Sequence, residues 1–253
     1  EQISLEWVKK YVPTLDKNYL LKIIENRNLN QQEVGYNVFF FYPKKGGIEA
    51  LPKSIISKIG DHNFSKTRLV GLNLARKEAK LSNGRTIKWK RVISTIPLPN
   101  FINIIEDCPQ IIKHYTSNLR YTSLITINLG IKGKIESDAH WIYFPEYDVP
   151  FHRVIIQSTL SPYVAPESIY SLIIEKSVPP TQTINMEEIY HQIINHLLKI
   201  RLLKDKNNIV ASTTNIISYA YPVYDIHHYS KREIILNFLK EHGVYSIGRF
   251  GSW

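Results

Sequence analysis

Cysteine and methionine are almost missing from this chain, with one of each in 253 residues. Cys108 stands alone, so neither an internal disulfide nor a thiolate metal cluster can form, a composition that suits a cytoplasmic protein. No run of eighteen apolar residues occurs, so no segment is expected to cross a bilayer as a helix. Of the nine histidines, His227 and His228 are adjacent and the rest are scattered. None has the i, i+4 spacing of a helical zinc pair with a third ligand nearby, and no metal site is expected. No G-x-G-x-x-G follows a strand-like run, which excludes a self-contained dinucleotide fingerprint. The opening Glu1-Gln-Ile-Ser4 carries neither an initiator Met nor a signal peptide, and both ends are expected to be cut from a longer protein.

What is present reads as globular: 43% hydrophobic residues, with 11 Gly and 13 Pro to punctuate them. The formal charge of +10 suits a phosphate-bearing partner. Dense basic runs and zinc-finger or RNA-recognition signatures are lacking, so nucleic acid is not expected as the partner. Short helices are predicted over Leu5–Tyr11 and Lys17–Asn26, and a strand-like aromatic run over Val38–Pro43. Ile48–Ile59 has apolar residues at 48, 51, 55, 56 and 59, one face of a helix. Strands follow at Arg68–Leu74 and Glu78–Leu81, then within Thr86–Ile96, with Asn83-Gly84 as a hairpin turn. Val92-Ile-Ser-Thr-Ile96 is short and β-branched, the pattern of a buried strand. A helix broken by Pro109 is predicted over Asn100–His114, then strands at Ser123–Ile131, His140–Phe144, His152–Ser158 and Tyr170–Lys176. Met186–Leu203 is an amphipathic helix, Ile209–Tyr219 a strand and Lys231–Glu241 a last helix.

Two features carry chemistry. In Ser246-Ile-Gly-Arg-Phe-Gly-Ser-Trp253, Gly248 and Gly251 lack a Cβ and allow a planar or phosphate-bearing ligand to approach the backbone. Arg249 between them supplies a permanently charged fork; the bland alternative is a glycine turn with a solvated arginine. Arg153 is the second feature, a guanidinium in a strand otherwise made of Val and Ile. An unpaired buried charge is too costly, so Arg153 needs an anion. Glu146 or Glu175 would make it a structural pair, whereas a nucleotide diphosphate would make it a binding group. Trp141, Tyr143 and Phe144 place aromatics beside it, as core packing or as a ligand wall.

Phe41-Tyr-Pro-Lys-Lys-Gly-Gly47 with its following helix, the meander, and Val92-Ile-Ser-Thr-Ile-Pro97 together resemble flavin proteins of the amine-oxidase and protoporphyrinogen-oxidase type. His140-Trp-Ile-Tyr-Phe-Pro-Glu146, Pro150-Phe-His-Arg153, Tyr219-Ala-Tyr-Pro222 and Gly248-Arg-Phe-Gly-Ser-Trp253 are similar to UDP-galactopyranose mutases, from about Val38 to Trp253. The resemblance implies a mixed α/β (α+β) fold: a partial FAD/NAD(P)-binding Rossmann-like domain interleaved with a substrate domain of mixed sheet and helix. Residues 1–37 would be a helical part of the substrate region and 38–99 part of the FAD-binding domain. Residues 100–240 would form the substrate-binding domain, and 241–253 would return to the FAD-binding domain.

The resemblance also implies FAD in the full-length protein and a nucleotide sugar as substrate. Reduced flavin would attack the anomeric carbon and expel uridine diphosphate, turning pyranose into furanose. By the same likeness Tyr143, Arg153 and Tyr221 line the diphosphate site, while Gly46, Gly47, Gly248, Arg249, Phe250 and Gly251 belong to the cofactor side; no catalytic residue is singled out. Ser158-Thr-Leu160 stands where the family has Ser-Asn-Tyr, so a second substrate tyrosine is missing and the sugar stays open. Two other functions remain: an FAD-dependent oxidoreductase, and a non-catalytic binding or scaffold homologue. Without the glycine-rich turn this 253-residue chain is expected to bind FAD weakly or not at all.

Overall fold

The computed structural model describes residues 3–4 and 40–253, so the helices expected over Leu5–Tyr11 and Lys17–Asn26 lie outside the described residues. The first elements are helix α1 (Ala50–Ile59), strands β1 (Leu69–Asn73), β2 (Glu78–Leu81), β3 (Thr86–Lys88) and β4 (Val92–Ser94), and helices α2 (Leu98–Ile104) and α3 (Gln110–Ser117). Strands β5 (Tyr121–Lys132), β6 (Trp141–Tyr143), β7 (Arg153–Ile156) and β8 (Ile169–Val178) follow. Helix α4 (Met186–Lys199), strand β9 (Ile209–Pro222), helix α5 (His228–Glu241), strand β10 (Val244–Ser246) and the single turn α6 (Gly248–Gly251) complete the order.

A five-stranded antiparallel sheet in the order β6-β7-β8-β5-β9 carries the site. Alternation in β5 sets its two faces: Ile125, Ile127, Leu129 and Ile131 are buried on one side, whereas Thr126 and Asn128 point to the other. The apolar face packs against α4, whose buried Ile189, Ile193, Ile194 and Leu197 recur at helical spacing. Asn185 caps α4 by accepting from the Glu188 amide at 3.2 Å, and Glu187 and Glu188 lie at the favourable end of the helix dipole. Each fully buried Ile or Leu here contributes about 1.5–3 kcal/mol.

A second core joins the β1–β2–β3 meander to α2, α3 and α5 through Leu72, Leu98, Phe101, Ile102, Ile235 and Leu239. Asp107 fastens the meander by accepting from the amides of Leu74 and Ala75, both at 2.9 Å. Strand β4 runs parallel to β10, with Val92, Ile93 and Ser94 opposite Val244, Tyr245 and Ser246. The segment around Val92 and the Gly248 turn are therefore neighbours in space despite their distance in sequence, and the Ile247 amide donates to Ser94 O at 2.8 Å.

Two expectations need correction. Residues 40–43 of the aromatic run are not strand, and Phe41 is fully exposed. An apolar run becomes a strand only where a neighbouring strand accepts its hydrogen bonds. This one is held by rings instead, Phe40 packing on His140 and Trp141 at 5.2 and 5.3 Å. Second, β4 is not a buried central strand: Ile93 is 69% exposed, and β10 alone pairs with β4 among the described residues. Helix α1 forms where its periodicity predicts, and none of its residues is buried.

His228 opens α5 at 2% exposure, its ring 4.7 Å from that of Tyr224. Burial, and then the Arg232 charge, holds its imidazole below the usual histidine value. The folded state therefore keeps the ring neutral where the unfolded chain binds a proton. This contribution is complete above about pH 6.5 and is lost as pH falls through the lowered value. Urea midpoints measured from pH 7 down to 4.5 should fall less steeply for His228→Gln than for the parent, and parallel slopes would contradict this account.

Candidate functional site

The sheet face opposite α4 gathers the polar side chains. Antiparallel register places Tyr143 beside Arg153 across β6 and β7, and Arg153 beside Glu175 across β7 and β8. Tyr221 arrives from β9 through an irregular register: β9 advances from Ile217 to Tyr221 while β5 advances only from Leu124 to Thr122. That slip brings the tyrosine onto the guanidinium.

Arg153 is the hub. Its Nε donates to Glu175 Oε2 at 2.7 Å, and Nη2 lies 2.5 Å from the same oxygen. Nη2 also donates to the Tyr221 hydroxyl at 3.1 Å, and Nη1 donates to the Tyr143 hydroxyl at 3.3 Å. Both alternatives raised by the sequence are thus present together: a pair with Glu175, and convergence with the two tyrosines. Glu146 is exposed and is not the partner. Burial works against the charge on Arg153, but the Tyr143 hydroxyl and the Glu175 carboxylate outweigh it and hold the guanidinium above its usual value.

Tyr221 is held above the ordinary phenol range by burial and by the nearby Glu175 carboxylate, so it stays a protonated donor. Both phenols accept from Arg153, which leaves their own O–H groups to donate elsewhere. Tyr143 is 59% exposed and opens this cluster to solvent. Arg249 lies over the Tyr221 ring, 5.6 Å from its centroid, and brings a second cation. Of the expected residues, the structure thus unites Tyr143, Arg153, Tyr221 and Arg249.

His152 was read only as part of a motif, and it borders the same carboxylate. Its Nδ1 accepts from the Ser177 amide at 3.3 Å, so in the neutral ring the proton sits on Nε2, 3.8 Å from Glu175. Burial keeps this imidazole below its usual value, against the pull of Glu175. The sequence signal for Glu175 was visible: a carboxylate inside a strand rich in isoleucine.

The glycines divide between two places. Gly46 and Gly47 both have positive φ, 82° and 61°, and turn the chain into α1. Their segment is held against the loop between β7 and β8: Ser161 Oγ donates to Lys44 O, and Lys45 Nζ lies 4.8 Å from the Tyr163 ring centre. Gly248, at φ 78°, starts the turn that carries Arg249, and Phe250 beside it is half-buried. Gly251 serves this chain's own packing: a Cβ there would sit 3.0 Å from Ser94 O and 3.1 Å from Ser246 Oγ. Gly251→Ala is therefore expected to cost about 1–3 kcal/mol of stability, since the contacted atoms include backbone. Thermal unfolding checks this, and an unchanged midpoint would show that the turn can yield. The ring of Trp253, 5.8 Å from both Tyr121 and Tyr219, buttresses the turn from below.

No group of His, Cys, Asp and Glu among the described residues could hold a metal ion, and no helix there is long and apolar enough to cross a membrane.

Comparison with known proteins places this geometry. The family model for flavin containing amine oxidoreductase matches residues 10–230. A crystal structure of reduced UDP-galactopyranose mutase superimposes with a TM-score of 0.87 at 26% identity, covering 99% of this chain and 55% of that one. The chain therefore spans about half the length of that mutase. A structure described as a protoporphyrinogen oxidase from Exiguobacterium sp. aligns over 79% of this chain and 45% of its own, with a TM-score of 0.59 at 14% identity. A CLA-producing fatty acid isomerase from P. acnes aligns over 82% and 48%, with a TM-score of 0.57 at 13% identity. These last two share the fold alone.

Proposed function

The chain belongs to the flavin-containing amine oxidoreductase family, and from that premise we propose that the complete protein is an FAD-dependent enzyme resembling UDP-galactopyranose mutase. Its substrate in this reading is a nucleotide sugar, whose diphosphate rests on Arg153, Tyr143 and Tyr221. One observation carries it: a single guanidinium joins two tyrosine hydroxyls that still have protons to donate, with Arg249 across the Tyr221 ring. A protonated amine would be repelled by two neighbouring guanidinium groups, which argues against amine oxidation as the alternative.

The residues fit one edge of a flavin and no more. Gly248 and Arg249 lie just past the carboxyl end of β10, where ligands of parallel sheets bind, and Arg249 is exposed there. Gly251 does not fit that role, because its open side faces Ser94. In this reading Gly46 and Gly47 lie on the cofactor side, residues 38–99 and 241–253 contribute to the FAD-binding domain, and residues 1–37 and 100–240 form the substrate region. FAD, when bound, supplies the electron pair for bond exchange at the sugar. In this reading Arg153, Tyr143 and Tyr221 meet the negative charge that grows on the diphosphate as its bond to the sugar breaks. Arg249 adds the cation needed to balance a second phosphate charge.

The test is direct. The complete protein should purify with FAD, and titration with uridine diphosphate should perturb the flavin absorbance spectrum. A colourless protein, or a flavin spectrum indifferent to nucleotide diphosphates and altered by amines, would overturn the reading.

A further inference from the structure

Resting on that anion-site reading, we infer that Glu175 is a positioning residue that limits the grip of Arg153 on a diphosphate. Glu175 is 7% exposed and is a direct cross-strand neighbour of Arg153, so the fold and not a mobile loop sets their distance. One oxygen, Oε2, takes both Nε and Nη2, the side of the guanidinium that best matches a phosphate in two places. A ligand is left the Nη1 end and the two phenols.

The carboxylate also cancels the guanidinium charge. With that pair neutral, Arg249 is the net cation of the cluster formed by Tyr143, Arg153, Glu175 and Tyr221. The remaining titratable groups nearby are His152, held neutral by burial, and Lys176, whose Nζ is turned away to donate to Pro150 O at 2.9 Å. A pair meant only to fasten β7 to β8 would have no reason to expose the far end of the guanidinium between two hydroxyls. In this arrangement the diphosphate is oriented by hydroxyl donors and released readily, since the full bidentate contact is withheld.

The experiment measures inorganic pyrophosphate binding to the complete flavoprotein at low ionic strength by calorimetry. Glu175→Gln keeps the shape and removes the charge, and should tighten binding at least fivefold. Glu175→Asp, which retains the charge, should stay within twofold of the parent. Glu175→Ala replaces the Gln variant should that one not fold, with the same expectation. A merely structural ion pair would lower the unfolding midpoint and leave the affinity of the folded protein unchanged, and that result overturns the inference. Equal tightening in the Asp variant would overturn it too, since charge would not be the cause. The double variant Arg153→Gln, Glu175→Gln leaves no uncompensated charge and should bind pyrophosphate far more weakly. If it binds like the parent, the anion-site reading itself fails, whatever Glu175 does.

Discussion

Replacing Arg153 by alanine is expected to weaken nucleotide-sugar binding to the complete protein by about 2 kcal/mol or more, roughly 30-fold. The guanidinium is the hub of the cluster, so its loss does more than delete one donor. Tyr143 and Tyr221 lose the group that fixes their hydroxyls, and Glu175 is left buried without its counter-ion. An anion approaching that uncompensated carboxylate is repelled, which adds to the lost attraction. Arg153→Lys keeps a positive charge but cannot reach both phenols and the carboxylate from one planar fork, so it should fall between parent and alanine. Calorimetric titration on protein verified as folded decides the matter. Unchanged affinity in Arg153→Ala would remove this residue from the site.

The second large effect lies in the scaffold. Phe101 is fully buried in α2, within the core that joins the meander to α5 and β10. Phe101→Ala should cost about 3–5 kcal/mol of unfolding free energy, through lost burial and the cavity left behind. Denaturant unfolding measures this, with the midpoint falling and the slope nearly constant. A loss below about 1 kcal/mol would mean that the surrounding helices collapse into the space more freely than their packing suggests.

Much of this architecture was legible from periodicity alone. The strands β1, β2, β5 and β8, the break at Pro109 and the amphipathic α4 all follow patterns of burial that a single segment carries within itself. Where the outcome depended on a distant partner, the sequence misled. Phe40 to Pro43 has the composition of a strand but meets rings where a strand would need an edge. Val92 to Ser94 has the composition of a central strand and finds β10 on one side. The site shows the same division. Arg153 announced itself as a charge among aliphatic residues, and its two possible partners were nameable. That one guanidinium holds a carboxylate and two phenols together could not be read, because it depends on cross-strand register and on the slip in β9. Gly251 is the converse case: the missing side chain was visible, but the atom that needs the space, the Ser94 carbonyl, belongs to another segment.

The parallel pairing of β4 with β10 also bears on how the protein is made. Val92 to Ser94 emerges early and finds this partner only once residues 244–246 have been synthesised. Closing so long a loop is entropically costly and slow compared with the hairpins of the meander, which can form as soon as they appear. Until then the inner edge of β4 and the Ser94 carbonyl stay unpaired, and the Arg249 turn has no seat. The Arg153 cluster on the five-stranded sheet can assemble beforehand, because Arg153, Glu175 and Tyr221 all precede β10. Arg249 is thus the last charged group of this cluster to arrive, and a chain ending before Val244 would carry Arg153, Glu175 and Tyr221 without the cation that lies over Tyr221.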